Sequence, residues 1–293
     1  MTSKSYSRIQ LLVLLAVAKY RFLTNAQLTL LRLGHPVTLR RATRFLSCHP
    51  PKTPVLRCHR FAVSPRHGRL ANIFTITAKG LAVLKEAFPD LEFPETPPTT
   101  MFALDYHHRV ACISFRILLE LALSGLPYRM ESSAWYFEKG GANRRRSGGD
   151  PLISATRFDF ADGSHFIPDG VIVLRHVPTG KRTVFAVECV NGRDSARTLR
   201  QVGRHQLAIV ERVVSDRFHL PPQQSFVSLF FFLKSAHVPR VLERLEKMVA
   251  FTPFRPNFLF TTFEELSRNP LVGWRSVGSP DVLFNCITGE PDS

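Results

Sequence analysis

The 293-residue sequence has no long hydrophobic run, few cysteines and few acidic residues in its first third. No apolar run reaches the roughly 18 residues of a transmembrane helix, so we expect no membrane partner. The five cysteines are an odd number and widely spaced, which favours a reducing compartment over a secreted disulfide framework. Residues 1–20 imitate a signal peptide, but they are needed as the first helix of the domain described below, so the sequence predicts a cytoplasmic protein.

Acidic residues are scarcest in residues 1–90, where only Glu86 and Asp90 oppose ten Arg and five Lys. This segment carries a net charge of +13 out of +16, which leaves +3 for the other 203 residues. Such a segment is typical of polyanion binding, because phosphate contacts release condensed counterions. The alternative is a basic face that only maintains solubility. The hydrophobic content of 44% excludes a disordered chain.

The first 90 residues have the pattern of three helices followed by two strands. Helical spacing of apolar residues predicts a helix over 8–20. Thr24 and Gln27 form a capping-box pattern for a second helix, which is expected to stop at Gly34. A third helix is predicted from Pro36 to about Cys48. Two β-rich stretches (55–63 and 70–76) and a helix (81–88) follow, which together predict a winged helix-turn-helix domain.

In a winged helix the third helix enters the major groove and the wing tip reaches the DNA backbone. We expect Leu39, Ala42, Val37 and either Phe45 or Leu46 to face inward. The candidate contacts to double-stranded DNA are then Thr38, Arg40, Arg41 and Arg44 on the helix, and Arg66 and Arg69 on the wing. The alternative is a winged helix that binds protein, with solvated arginines.

Two segments are rich in proline or glycine. Residues 89–98 contain four prolines, which predicts a stiff linker (91–104) between a first domain (1–90) and a second domain (105–293). The second domain begins with a long helix over 105–124. Its segment KGGANRRRSGGD, residues 139–150, predicts an exposed loop. The arginines of this loop either clamp DNA phosphates or belong to a neutral insertion: Arg144, Arg145 and Arg146.

Two acidic residues lie on a predicted hairpin in the second domain. Strands over 164–175 and 182–191 are joined by a turn, and antiparallel pairing can bring Asp169 and Glu188 together. Two such carboxylates can bind Mg²⁺ or Mn²⁺, and the metal can activate water against a phosphodiester. The alternative is that Asp169 is a turn residue and Glu188 a satisfied acid at a strand end. A basic helix over 196–214 follows.

The remainder predicts a further α/β layer. The near-continuous apolar stretch 225–233 is typical of a strand buried on both faces. A helix over 238–251, a strand over 257–262 and a short helix over 263–268 follow it. The many phenylalanines of these strands are expected to lie in the core.

The hairpin and the basic helix resemble the PD-(D/E)xK nuclease fold. The order of motifs over about 20–280 also resembles the replication-relaxation family of plasmid and mobile-element proteins. The matching segments are FTITAKGLAVL, DYHHRVACISFRILLEL, FIPDGVIVL, FAVECVNGRDS and FLFTTFEELSRNPLVGWRSV. The resemblance implies an α/β (α+β) chain, with a winged helix-turn-helix followed by a restriction-endonuclease-like domain with a mixed sheet. The sequence departs from the nuclease pattern at Val190, where a nuclease has Lys.

The resemblance implies DNA binding in plasmid or element replication, mobilisation or relaxation, with other replication or mobilisation proteins or a second copy of the chain as further partners. Three hypotheses follow. The nuclease-like domain is a platform with a degenerate site, or the protein is a metal-dependent nickase or relaxase that uses Asp169 and Glu188, or it is a winged-helix transcription regulator. A cofactor, Mg²⁺ or Mn²⁺, is expected only if the nuclease-like site is active.

Overall fold

A computed structural model describes residues 6–49, 53–61, 63–64, 68–93, 105–140, 153–192 and 194–291. The chain divides into two compact units, Met1–Ile117 and Leu118–Ser293. The division lies inside a long helix, Tyr106–Ala122, and not in the segment 91–104 that the sequence predicted as the linker. Residues 94–104 of that segment lie outside the described residues.

The N-terminal unit contains helices and a small antiparallel sheet. In chain order its elements are α1 (Arg8–Tyr20), β1 (Phe22–Thr24), α2 (Asn25–Leu30), α3 (Pro36–Cys48), β2 (Leu56–His59), β3 (Val63–Ser64), β4 (Gly68–Arg69), β5 (Ile73–Ile76), α4 (Ala78–Ala87) and the first part of α5 (Tyr106–Ala122). The main sheet has the order β1-β5-β2, and β3 pairs with β4 alone. The first predicted β-rich stretch (55–63) therefore contains β2 and the start of β3, the second (70–76) contains β5, and β4 lies in the segment predicted as a turn.

Side-chain caps set the helix starts of this unit. The Thr24 hydroxyl accepts a hydrogen bond from the Gln27 backbone N–H at 3.2 Å, and Gln27 Oε1 accepts one from the Thr24 N–H at 2.9 Å. The predicted capping box is thus confirmed. Helix α2 ends at Leu30, before the predicted Gly34, because the chain turns at Arg32, which has a positive φ of 55°.

The C-terminal unit is built on a mixed sheet. After α5 its elements are β6 (Tyr128–Trp135), β7 (Lys139–Gly140), β8 (Ile153–Ser154), β9 (Phe158–Asp159), β10 (His165–Phe166), β11 (Gly170–His176), β12 (Arg182–Val190), α6 (Ser195–Val210), α7 (Val213–Arg217), β13 (Val227–Phe232), α8 (Val238–Glu246), β14 (Phe258–Thr262), α9 (Phe263–Arg268), β15 (Trp274–Ser276) and β16 (Ser279–Phe284). Short 3₁₀ turns at Ser235–His237 and Val249–Asn257 flank α8.

The large sheet has the order β16-β15-β14-β13-β12-β11-β6. Strands β6, β11 and β12 form an antiparallel meander, whereas β12, β13 and β14 run parallel. Helix α6 is the crossover that a parallel pair requires between β12 and β13. A mixed α/β protein with a large mixed sheet, as the sequence predicted, is confirmed.

Two predicted helices are shorter in the structure. The helix expected over 196–214 is divided into α6 and α7, because Arg212 has a left-handed φ of 56°. The helix expected over 238–251 ends at Glu246, and the 3₁₀ segment that follows contains Pro253 and Pro256. The predicted phenylalanine core is confirmed in β13, where Phe230, Phe231 and Phe232 are fully or almost fully buried.

Within the described ranges, no helix combines the length and the apolar character needed to cross a bilayer.

Candidate functional site

Helix α3 has a buried face and an exposed basic face. Leu39, Ala42 and Leu46 are buried. The four residues predicted to contact DNA from this helix are all exposed: Thr38, Arg40, Arg41 and Arg44. Thr43 is buried and its hydroxyl lies 3.1 Å from Asn25 Oδ1 of α2, which fixes the rotation of α3.

The exposed face of α3 also carries apolar side chains. Val37, predicted to face inward, is 39% exposed, so that prediction is wrong; of Phe45 and Leu46, it is Leu46 that is buried. The reason is periodicity, because Val37 and Phe45 lie four residues before and after Arg41 and share its face. The face is therefore basic and apolar together, which suits contacts to phosphates and to thymine methyl groups.

The predicted wing is described in part. Strands β3 and β4 pair Val63 with Arg69 and Ser64 with Gly68, and Arg69 is exposed. Arg66, the other predicted wing contact, lies outside the described residues, as do the loop arginines Arg144, Arg145 and Arg146.

The second candidate site is the pair Asp169 and Glu188. Asp169 directly precedes β11, and Gly170 pairs with Val187 in the antiparallel register, so the two acids lie side by side. The Cys189 backbone N–H donates to Asp169 Oδ2 at 2.8 Å, and the Asp169 carboxyl lies close enough to Glu188 to raise the pKa of Glu188 through its charge and hydrogen bonding. Asp169 is half-buried and Glu188 is buried. The predicted meeting of the two carboxyls is present in the structure.

Both Glu188 oxygens have partners on helix α6. Gln201 Nε2 donates to Glu188 Oε2 at 2.8 Å, and a 3.0 Å hydrogen bond joins His205 Nε2 to Oε1. His205 Nδ1 lies 2.9 Å from the Ser228 hydroxyl of β13. Gln201 and His205 are four residues apart, so one helix face supplies both. In the sequence, the signal for this network was the pair of polar residues Gln201 and His205, four residues apart on the helix that follows the acidic strand. Ser228 gave no such signal, because it lies in an apolar strand.

Burial decides the charge of this network. Burial, and then the charge and the hydrogen bond of Asp169, raise the pKa of Glu188 well above its usual range. Burial lowers the pKa of His205 to about 3. His205 is therefore neutral at neutral pH, and burial favours the protonated form of Glu188. A divalent cation at this pair must displace the proton of Glu188, because a ligating carboxyl must be ionised.

Val190 occupies the position at which a PD-(D/E)xK nuclease has Lys, so this position contributes no charge. Val190 is buried among Val202, Phe230 and Phe232, so its side chain belongs to the core. The carboxyls supply the hard oxygen donors that Mg²⁺ and Mn²⁺ prefer. These residues fit a metal by their chemistry, although Glu188 must lose its proton before it can ligate.

A cleft of about 380 Å³ leads to Glu188. Its lining residues are His165, Phe166, Ile167, Glu188, Arg197, Arg200, Gln201 and Arg204. Arginines line one wall of this cleft, and the nearby charge of Arg197 favours ionisation of Glu188 against the larger effects that oppose it. The arrangement is able to place an anionic group beside Glu188.

Comparison of the chain with protein-family models, with curated proteins and with solved structures finds no match. Function is therefore inferred from the residues and their geometry.

Proposed function

We propose that the protein is a DNA-binding protein of a plasmid or mobile element, acting in replication, mobilisation or DNA relaxation in the cytoplasm. Its N-terminal unit is a winged helix that binds double-stranded DNA through α3. The exposed basic and apolar face of α3 carries this proposal, since Arg40, Arg41 and Arg44 are all exposed. The charge supports it, because residues 1–90 hold +13 of the net +16.

The test is the salt dependence of duplex affinity for the full chain. Replacing Arg40, Arg41 and Arg44 together by Ala should weaken duplex binding and reduce the salt slope by about 0.9 for each phosphate that is no longer neutralised. The matched control replaces Arg8, Lys79 and Lys85, three exposed basic residues of α1 and α4, and removes the same charge. Unchanged affinity and slope in the α3 variant would contradict the proposal.

In this proposal the C-terminal unit serves mainly as a platform for DNA or for other replication or mobilisation proteins, a second copy of the chain included. The nuclease-like order of its elements supports this assignment: a helix, an antiparallel meander, a crossover helix and a parallel strand. The buried Val190 favours a platform, because it leaves no cation two residues after Glu188.

A second candidate function is metal-dependent nicking of DNA, favoured by the contact between Asp169 and Glu188 beside the arginine-lined cleft. Bound Mg²⁺ or Mn²⁺ would supply an activated water. Asp169 and Glu188 would hold the metal, and the arginines would orient the phosphodiester. The test is incubation of supercoiled plasmid with either metal. Asp169→Ala and Glu188→Ala should abolish nicking, and Asp162→Ala, at an exposed acid of the same unit, should not; absence of nicking in the unmodified protein would exclude this candidate.

A further inference from the structure

The arginine wall of the cleft is formed by one face of helix α6. Arg197, Arg200 and Arg204 follow a spacing of three and four residues, which places them on the same side of a helix. All three are exposed, while Thr198, Val202 and His205 on the opposite side are buried. At 1.5 Å per residue the three arginines extend over about 10.5 Å along the helix axis. They form a ridge of positive charge along the opening of the cleft.

These arginines have few acidic partners. Among the described residues, neither Arg197 nor Arg204 forms an ion pair with a carboxylate, and Arg200 lies 3.8 Å from the exposed Asp194. Arg204 Nη1 donates to the His165 backbone carbonyl at 3.0 Å, which holds this side chain over the cleft. One such bond leaves most of the five N–H donors of a guanidinium for a ligand. Guanidinium groups in this state are suited to phosphate oxygens.

The other wall of the cleft is different in character. It is formed by residues His165 to Ile167, and Ile167 is 37% exposed. An apolar side chain opposite a basic ridge suits the sugar or base of a nucleotide whose phosphate lies on the ridge. The cleft volume of about 380 Å³ is in the range of small-ligand sites, roughly 300–1,000 Å³. A volume of this size suits one nucleotide, which favours a single strand over a duplex as the occupant.

We propose that the α6 cleft, defined by Arg197, Arg200, Arg204 and Ile167, binds the backbone of a single DNA strand, with successive phosphates on the arginine ridge. This site is separate from the duplex contact of α3, and it rests on the proposed function only in that DNA is the polyanion. The bound strand lies with a phosphate beside Glu188, so the same site positions a substrate if Glu188 and its neighbour Asp169 carry a metal.

The experiment compares a labelled single-stranded oligonucleotide with the matching duplex, both titrated with the full chain at several salt concentrations. Replacing Arg197, Arg200 and Arg204 together by Ala should weaken strand binding by about 10- to 100-fold, as expected when charge-assisted hydrogen bonds are removed. The salt slope should fall by about 2, since each phosphate contact on a single strand contributes about 0.7. Duplex affinity through α3 should be retained.

The matched control removes the same charge elsewhere on this unit, by replacing the exposed Arg129, Arg175 and Arg240 with Ala. A second variant replaces the three ridge arginines with Lys, which keeps the charge and should bind the strand within a few-fold of the unmodified protein. Thermal unfolding of each variant confirms that it is folded. Strand binding that survives the Ala variant, or that falls equally in the control, would overturn the proposal.

The α3 variant separates this inference from the proposed function. If it loses duplex binding and keeps strand binding, while the ridge variant loses the strand, both assignments hold. If it keeps duplex binding while the ridge variant loses the strand, the α3 assignment fails and the cleft assignment stands. If the unmodified protein binds no single strand, the cleft assignment fails alone.

Discussion

At the scale of single residues, burial favours the neutral forms of both Glu188 and His205 in the folded state. Burial raises the pKa of Glu188 above its ordinary 4.5 and lowers that of His205 from 6.5 to about 3. The raised pKa of Glu188 lowers stability as pH rises from 4.5 through its folded-state pKa, because the folded state keeps a proton that the unfolded chain has released. The lowered pKa of His205 lowers stability as pH falls from 6.5 to about 3, because the unfolded chain binds a proton that the folded state does not.

Glu188→Gln tests this directly, because Gln is a neutral substitute for the protonated acid. We expect the variant to have nearly the unfolding free energy of the unmodified protein at pH 5.5. Between pH 5.5 and pH 8 its stability should not fall, because only His205 of the pair still titrates and its lowered pKa makes stability rise with pH up to 6.5, whereas the unmodified protein also carries the opposing effect of Glu188. Urea denaturation at the two pH values measures both effects.

The control for this comparison is Glu246→Gln, at an exposed position of α8. It should leave the pH dependence unchanged. If Glu188 were ionised in the folded protein, Glu188→Gln would instead remove a hydrogen-bonded buried charge and destabilise the protein at both pH values. That outcome would contradict the protonated state.

At the scale of elements, the acid pair depends on the close approach of two strands. Gly170 opens β11 and pairs with Trp135 of β6 on one side and Val187 of β12 on the other. A Cβ atom at Gly170 would lie 2.6 Å from Trp135 Cζ3 and 2.8 Å from Cε3. Trp135 is completely buried, so its ring cannot move aside into solvent. The glycine therefore allows β6 and β11 to pair directly beside Asp169.

Gly170→Ala should lower the unfolding free energy by about 1–3 kcal/mol, the usual cost of overpacking a core. The matched control is Gly203→Ala on α6, where no atom lies within 4 Å of an added Cβ. That substitution should stabilise the protein by about 0.5–1 kcal/mol, because Ala favours a helix over Gly. Urea denaturation followed by tryptophan fluorescence measures both free energies. Equal changes in unfolding free energy at the two glycines would show that Trp135 does not restrict the side chain at position 170.

The elements that local chemistry determines were predictable from the sequence. Helices α1, α3 and α9 have the predicted bounds, since a cap or a proline marks the start of each. The end of α6 was not predictable, because the turn depends on a left-handed Arg212 that no glycine announces. For the acid pair, strand register predicted the approach of Asp169 and Glu188. The hydrogen bonds from Gln201 and His205 to the two Glu188 oxygens were not predictable, because they depend on how α6 packs against β12, which residue spacing does not specify.

At the scale of the whole molecule, the division into units assigns the first half of α5 to the N-terminal unit. The Gln27 amide explains this assignment, because its Nε2 donates to the Val110 carbonyl at 3.0 Å and to the Ser114 hydroxyl at 3.1 Å. The Tyr106 hydroxyl donates to the Ala71 carbonyl at 2.9 Å. Sequence reasoning placed the boundary at the prolines instead. It could not predict these contacts, because they join residues that are 83, 87 and 35 positions apart in the sequence.

A fragment comparison tests where the DNA-binding unit ends. A fragment of residues 1–117 should be more stable than one of residues 1–90. Truncation at 90 leaves the buried Gln27 amide without its two acceptors, which should lower the unfolding free energy by about 1–3 kcal/mol. A fragment of residues 1–104, which keeps the proline-rich segment but not the helix, is the control and should match 1–90. Urea denaturation of the three fragments gives the comparison. If 1–104 were as stable as 1–117, the proline-rich segment, and not α5, would complete the unit, and duplex binding would be expected from the shorter fragment at full affinity.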